Sequence, residues 1–238
     1  MADRPQRRQP APISRRCGSG FERAARAAGH EYVAGLDEAG RGCLFGPVYA
    51  AAVILSPQQP LRGLNDSKQI AASERERLAK QIREHAVAWA VASVDAAEID
   101  RINILQASRL AMKIALLRLD PPADYALVDA LTLDVEIPQQ ALIKGDERCR
   151  SIAAASILAK VDRDAAMVNW DKIYPEYGFA RNKGYGTPEH LRALERCGVT
   201  AEHRRGFAPV RAACGLPPLA KDRRQMTLFE EATAATCH

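Results

Sequence analysis

Gly35-Leu36-Asp37-Glu38-Ala39-Gly40-Arg41-Gly42 is the stretch on which the reading of this chain turns. A short apolar run, Tyr32-Val33-Ala34, leads into it, and a second apolar run, Val48 to Leu55, follows. Two adjacent carboxylates therefore stand where a buried strand should end. Behind them, Gly-Arg-Gly sets one fixed positive charge between two flexible residues. A core strand has no use for that combination. A site that holds a cation and a phosphate does.

Working outward, Tyr32 to Asp37 and Val48 to Leu55 read as strands joined by a glycine-rich connection through Gly46-Pro47. Ser73-Glu74-Arg75-Glu76 has capping-box spacing and predicts a helix to about His85. Val87 to Val94 alternates as a third strand, and Ala96 to Asp100 reads as a short helical turn. From Asn103, apolar residues recur at helical spacing until Pro121-Pro122. Tyr125 to Val128 is a fourth strand ending at Asp129, and Ala141 to Lys144 a fifth ending at Gly145-Asp146. Ser151 to about Trp170 is a long helix whose first half is small and apolar, suited to lie close to a sheet. Pro175 to Gly186 is a loop rich in glycine and aromatics. Thr187-Pro188 opens a helix to Cys197, and Gly206 to Cys214 forms one more. Three early strands in antiparallel succession, then two reached through helices, give an α/β fold with a mixed five-stranded sheet flanked by helices and a small C-terminal helical extension.

At 238 residues the chain is long enough for one good core. No run reaches the length of a membrane span, and the N-terminus lacks the apolar core of a signal peptide. Six scattered cysteines without a C-x-x-C pair point to reduced thiols and a cytoplasmic location. A monomer is expected. The net charge of +5 is localised: residues 1–30 hold seven Arg and two acids, which is +5, and the remaining 27 basic and 27 acidic residues cancel. Nucleic-acid affinity must then come from local patches and the N-terminal arm. Residues 1–29 read as an Arg-rich flexible arm, in which Phe21 to Ala28 has the length for one or two helical turns. Residues 30–216 read as the catalytic domain and 217–238 as a flexible tail. The arginines of the arm either touch phosphates or form a solvated end.

Asp37, Glu38, Asp129 and Asp146 each follow an apolar run, so each is expected at the edge of the core. Four carboxylates brought together repel strongly and need a hard cation, Mg²⁺ or Mn²⁺ rather than Zn²⁺. Two such ions would clamp the attacking and leaving oxygens of a phosphodiester. Neighbouring residues on a regular strand point to opposite faces. Asp37 and Glu38 share a site on this reading only if the strand breaks there, which Gly40 and Gly42 would allow.

These residues resemble the signature of ribonuclease HII, the prokaryotic type 2 ribonuclease H. Further blocks resemble that family in its order: Leu64-Asn65-Asp66-Ser67-Lys68, Asn103-Ile104-Leu105, Val128-Asp129, Lys144-Gly145-Asp146, Ser151 to Val161, Lys183-Gly184-Tyr185-Gly186-Thr187 and His203 to Val210. The resemblance spans about Tyr32 to Leu216. It implies a ribonuclease H-like fold, hydrolysis of RNA in RNA–DNA hybrids, and incision on the 5′ side of single ribonucleotides in duplex DNA, leaving a 5′-phosphate and a 3′-hydroxyl. By position, Asp37, Glu38, Asp129 and Asp146 match the metal-binding catalytic carboxylates. Gly40, Arg41 and Gly42 match the motif that contacts the 2′-OH and the junction backbone. Tyr185 matches the tyrosine that stacks on the following deoxyribose. The sister family, ribonuclease HIII, carries Gly-Thr-Gly where this chain has Gly-Arg-Gly. Cys43 stands where proline is frequent in the family, Ala130 where glycine is common, and Gly206 where serine is common.

Lys68, Lys144 and Lys183 lie in matched loops. Lys144 is the residue expected to neutralise substrate phosphate, with surface solvation as the competing reading. His203, in a basic run with Arg204 and Arg205, is expected to contact phosphate or cap a helix. In the tail, Gln225-Met226-Thr227-Leu228-Phe229 resembles the peptide by which bacterial replication and repair proteins dock on the DNA sliding clamp, with Gln225, Leu228 and Phe229 as the contacts. A short helix folded back onto the body is the alternative. Two other functions share the carboxylates: a DNA nuclease on the same fold, and a hybrid-binding protein without catalysis. Gly40-Arg41-Gly42 with Tyr185 argues against the first and the complete set of four acids against the second.

Overall fold

The computed structural model describes residues 17–218. The expected clamp contacts Gln225, Leu228 and Phe229, and most of the arginines of the arm, lie outside the described residues. The described residues divide into two compact units. The first contains the residues up to Ala39, Ala50–Ala92 and Ala111–Val161, and the second contains Gly40–Tyr49, Ser93–Leu110 and the residues from Asp162 onward.

The first unit is built on strands β1 (Val33–Ala39), β2 (Val48–Ile54), β3 (Ala88–Val94), β4 (Tyr125–Asp129) and β5 (Gln139–Leu142), in the spatial order β3-β2-β1-β4-β5. The strand that carries Asp37 is thus the central one. β1 pairs in parallel with β4 from Val33↔Tyr125 to Leu36↔Val128, and β4 in parallel with β5 from Ala126↔Gln139 to Asp129↔Leu142. A central strand is covered on both faces, so it reads as a continuous apolar run rather than an alternating one.

Around the sheet are α1 (Gly20–Ala27), α2 (Ala72–His85), α4 (Ile104–Leu117), α5 (Gly145–Arg148) and α6 (Arg150–Ile173). The small residues at the start of α6 have a measurable purpose. A Cβ added at Gly35 of β1 would lie 2.1 Å from the Ser151 carbonyl carbon, so helix and strand pack backbone against backbone. Ala153, Ala154, Ala155, Ile157, Leu158 and Ala159 then bury against Ala51 and Val53 and against Leu78, Ala79 and Ile82 of α2. Glu22 of α1 is buried and accepts the Ser151 N–H at 2.8 Å, which caps α6 from a distant part of the chain.

The second unit holds α3 (Ala96–Ile102), α7 (Phe179–Asn182), α8 (Pro188–Cys197) and α9 (Ala208–Ala213), with a 3₁₀ turn at Pro175–Tyr177. Leu44, Phe45, Met167, Tyr177, Phe179, Ala193, Leu194 and Val210 form its core. Phe45 and Phe179 stack with ring centroids 3.8 Å apart. Thr187 caps α8 by accepting the His190 N–H, and Pro188 occupies the first turn.

Several local expectations are corrected. β1 does not break at Asp37 but runs to Ala39. The capping box at Ser73 does not form, because α2 begins a residue earlier and Ala71 supplies no side-chain cap. β5 lies two residues earlier than expected and is reached from β4 without a helix, so Asp146 sits in the first turn of α5 rather than at a strand end. Asn103, with φ 70°, opens α4 instead of joining it: its Oδ1 accepts the N–H groups of Leu105 and Gln106. The loop Pro175 to Gly186 contains the 3₁₀ turn and α7, held by aromatic packing that no local pattern announces.

Candidate active site

The first unit carries Asp37, Glu38 and Asp129 toward the C-terminal ends of β1 and β4, the place where open α/β sheets bind ligands, and Asp146 in the first turn of α5. Asp37 and Glu38 follow directly on Leu36, the last residue of β1 paired with β4. Asp129 ends β4, and Asp146 follows β5 by four residues. Asp37 is 5% exposed, and its Oδ1 accepts the Glu38 N–H at 2.7 Å. Burial, then the charges of Glu38, Asp129 and Asp146, push its carboxyl well above the usual range, against a hydrogen bond from Ser156. Ser156 is itself fixed by Ser67, with hydroxyl oxygens 2.9 Å apart.

Asp129 Oδ1 accepts the Gly145 N–H at 2.6 Å. Burial nevertheless pushes Asp129 up to about 6, with Asp146 and Glu38 adding to it and the Gly145 hydrogen bond and Lys68 opposing. Asp146 is also raised, by burial and by Asp66, and its Oδ1 accepts the Glu147 N–H at 3.0 Å. Glu38 enters the environment of both Asp37 and Asp129 although β1 has not broken. Glu38, Asp129 and Asp146 thus all act electrostatically on Asp37. The expected strand break is absent.

The lysine placed among these acids is Lys68. Its Nζ lies 3.8 Å from Asp146 Oδ2. Burial works against its charge, but Asp66, Asp146, Asp37 and Asp129 together hold it above the ordinary lysine value. Lys144 is exposed on a left-handed residue at the entry to α5. Asp66 was not singled out from the sequence. It is 7% exposed and accepts the Lys68 N–H at 2.9 Å, which fixes the turn that presents Lys68. The signal was there in Asn65-Asp66-Ser67-Lys68, an Asx-turn sequence in a polar loop.

Among the described residues, no three acids close on a common point as the ligands of a bound ion do. The donor set nonetheless fits a hard divalent cation. All its donors are oxygens, and both burial and mutual repulsion raise the cost of leaving them ionised without a counter-charge. That cost is what a cation bound among them removes.

The second unit contains the glycine–arginine loop. Gly40 has φ 94°, and a Cβ there would meet Arg163 Nε at 2.0 Å. Gly42 differs: it is exposed, and an added Cβ meets nothing within 4 Å. Two buried arginines hold the loop from within. Arg204 Nη1 donates to Gly40 O at 2.8 Å and Arg41 O at 3.0 Å, and its Nε donates to Gly46 O at 2.8 Å. Arg163 Nη1 donates to Lys183 O at 2.8 Å. Burial lowers Arg204 to about 10, still fully charged at neutral pH.

Tyr185 adjoins this loop through a bridge with Cys43, and the Leu44 N–H donates to Gly184 O at 2.8 Å. Tyr185 is 41% exposed, and its ring lies 5.8 Å from the Arg163 guanidinium. The basic run at 203–205 is not a surface patch: His203 and Arg204 are buried, and Asp100 accepts the N–H groups of Arg205 and Gly206 at 2.8 Å each. The expectation of phosphate contact at His203 is corrected, because its ring faces His190 and the aromatic core.

The chain matches the family model described as Ribonuclease HII over residues 34–210. It is 60% identical over 220 residues to the ribonuclease HII of Solibacter usitatus (strain Ellin6076), covering 92% of this chain and 96% of that one. Among solved structures it resembles the ribonuclease H2 of Pyrococcus horikoshii OT3 at 27% identity, with TM-score 0.65, covering 77% of this chain and 97% of that one. It also resembles the ribonuclease HII of Archaeoglobus fulgidus, solved in complex with PCNA, at 28% identity and TM-score 0.62, covering 73% and 94%. A family match across the strands that carry the acids and across the loops of Gly40 and Tyr185, joined to close identity along nearly the whole chain, leads to one conclusion: the chain belongs to the ribonuclease HII family, endoribonucleases that degrade the RNA of RNA–DNA hybrids.

Proposed function

We propose that this protein cuts the RNA strand of RNA–DNA hybrids and incises 5′ of single ribonucleotides embedded in duplex DNA, leaving a 5′-phosphate and a 3′-hydroxyl. Asp37, Glu38, Asp129 and Asp146 hold two Mn²⁺ or Mg²⁺ ions. The observation that carries the reading is that Glu38, Asp129 and Asp146 all act on buried Asp37 beyond the paired part of β1, with Asp37 and Asp129 both disfavoured as bare anions. When bound, the ions supply Lewis acidity and a hydroxide at neutral pH. The chain's own groups orient and balance: the Gly145 N–H aims Asp129, Ser156 aims Asp37, and Lys68 offsets part of the negative charge.

Gly40, Arg41 and Gly42 contact the ribonucleotide, and Tyr185 stacks on the sugar that follows it. The two glycines divide the work. Gly40 is required by the fold itself, since its backbone is left-handed and Arg163 fills the space of a side chain. Gly42 has no such internal reason, and a glycine on an exposed loop lets a backbone amide come close to a 2′-hydroxyl. Arg41 holds the adjacent phosphate, and Lys144, exposed beside α5, reaches a phosphate further along. Gln225, Leu228 and Phe229 dock on the DNA sliding clamp. Support for that partner comes from the peptide itself and from a relative solved in complex with PCNA. On this reading the protein works in ribonucleotide excision and replication in the cytoplasm.

Matched duplexes test the reading: one with a single ribonucleotide and one all DNA, each with Mn²⁺, Mg²⁺ or chelator. Cleavage of the first alone, 5′ of the ribonucleotide and only with metal, is expected. Cleavage of both would favour a DNA nuclease, and binding without cleavage a non-catalytic protein. For the tail, removal of residues 225–238 should abolish binding to the clamp; unchanged binding ends that part of the proposal.

A further inference from the structure

Tyr185 presents an exposed ring on a backbone held from inside, and the hold runs through two buried histidines. Its carbonyl accepts the Thr187 N–H at 2.8 Å and lies 2.9 Å from His190 Nδ1. His190 Nε2 lies 3.1 Å from His203 Nε2. His203 Nδ1 lies 2.9 Å from both the backbone N and the Oγ1 of Thr200. Both rings are buried, and Phe45, Tyr177 and Phe179 pack around them.

The protons in this chain can be assigned link by link. A backbone N–H only donates, so His203 Nδ1 is the bare, accepting nitrogen. The proton of a neutral His203 ring is then on Nε2, from which it donates to His190 Nε2. That nitrogen must be bare in turn, which leaves the His190 proton on Nδ1, where the Tyr185 carbonyl accepts it. Each ring N–H meets an acceptor, and no second tautomer satisfies both ends. An added proton would set two N–H groups face to face at 3.1 Å. Burial also pushes both rings toward the neutral form, His203 to about 3. An acid–base role is thereby removed from His203.

We propose that His190 and His203 form a fixed, neutral relay that ties Tyr185 to the Thr200–His203 turn, and that this relay sets how sharply the enzyme prefers an RNA-to-DNA junction. Both are positioning residues: they act on substrate only through the backbone of Tyr185. The inference rests on the reading of Tyr185 as the residue that stacks on the deoxyribose. Stacking preference depends on where the ring is held. A carbonyl with both acceptor positions filled leaves the ring little freedom to follow a ribose instead.

The test is a double-mutant cycle read as selectivity, the ratio of kcat/KM for a single embedded ribonucleotide to that for a continuous hybrid. His203→Phe keeps the aromatic packing and removes the donor, and should lower this ratio about tenfold. His203→Gln, which returns a donor at the Nε2 position, should restore most of it. In a Tyr185→Ala background, where the ratio has already fallen, His203→Phe should change it by less than about twofold. Equal losses on both substrates, or a full further loss in the Tyr185→Ala background, overturn the relay. If Tyr185→Ala lowers the ratio and His203→Phe does not, the relay alone is wrong. If Tyr185→Ala leaves the ratio unchanged, the reading of Tyr185 falls and the relay with it. Should His203→Phe fail to fold, ¹⁵N spectra of the wild-type protein at pH 7 still decide: Nδ1–H on His190 and Nε2–H on His203 are required, and the opposite tautomers or an imidazolium refute the proposal.

Discussion

Asp129 shows how function and stability oppose one another at a single residue. Its folded-state value of about 6 lies above the ordinary 3.8, so the folded protein binds this proton more tightly than the unfolded chain does. The corresponding stabilisation is fully present below the unfolded value and is lost as pH rises through about 6. Above that pH the ionised group costs the metal-free fold on the order of 3 kcal/mol. Asp129→Asn keeps an acceptor for the Gly145 N–H and removes the charge. It should raise the melting temperature of metal-free protein at pH 7 to 8, with the gain vanishing by about pH 4, while turnover drops by more than about a hundredfold. Thermal melts across that pH range check the first part and a cleavage assay the second. Gly40 and Gly42 separate in the same way. Gly40→Ala should cost about 2 kcal/mol in denaturant unfolding. Gly42→Ala should leave stability within about 0.5 kcal/mol of the parent and lower cleavage at an embedded ribonucleotide at least tenfold, roughly the cost of a small misplacement. Loss of stability at Gly42 would contradict the assignment.

At the scale of elements, the decisive packing is α6 against β1. Gly35 leaves no room for a side chain, and a Cβ would lie 2.1 Å from the backbone of Ser151. The first turn of α6 is also pinned by Glu22 and follows directly on the short helix that carries Asp146. Gly35→Ala should therefore cost about 3 kcal/mol of stability. Urea unfolding measures the cost, and an effect below about 1 kcal/mol would mean that the helix moves away easily. The small-residue run at Ile152 to Ala159 announced close packing from sequence alone. The first turn of α2 shows the limit of such reading. Ser73-Glu74-Arg75-Glu76 has capping-box spacing, yet Arg75 instead donates to the carbonyls of Ser67 and Ile70, and the helix starts at Ala72. A contact with the preceding loop overrode a local pattern.

For the whole molecule, charge placement matters more than net charge. Beyond residue 30 the basic and acidic residues cancel, while the acids of the site stand clustered with Lys68 as a neighbouring cation. Mn²⁺ or Mg²⁺ should therefore raise the melting temperature. The increase should be largest near pH 8 and shrink as Asp129 takes up its proton near pH 6. It should be lost in Asp37→Asn. Calorimetry with and without metal at several pH values checks this, and a metal effect that survives in Asp37→Asn would place the ions elsewhere.

The sequence by itself determined the five strands and the long small-residue helix, because hydrophobic period and glycine position are written locally. It also determined the family, through motifs held in order along the chain. It did not determine which lysine stands among the acids, that Asp66 fixes it, or that His203 and Arg204 are internal supports instead of phosphate contacts. It expected a break in β1 that does not occur. Those facts depend on residues far apart in the chain. Lys68 meets Asp146, Arg204 meets Gly40, and His190 meets His203 only after folding. A charged or polar side chain reads the same in sequence whether water or a buried carbonyl satisfies it, and only the tertiary structure decides between the two.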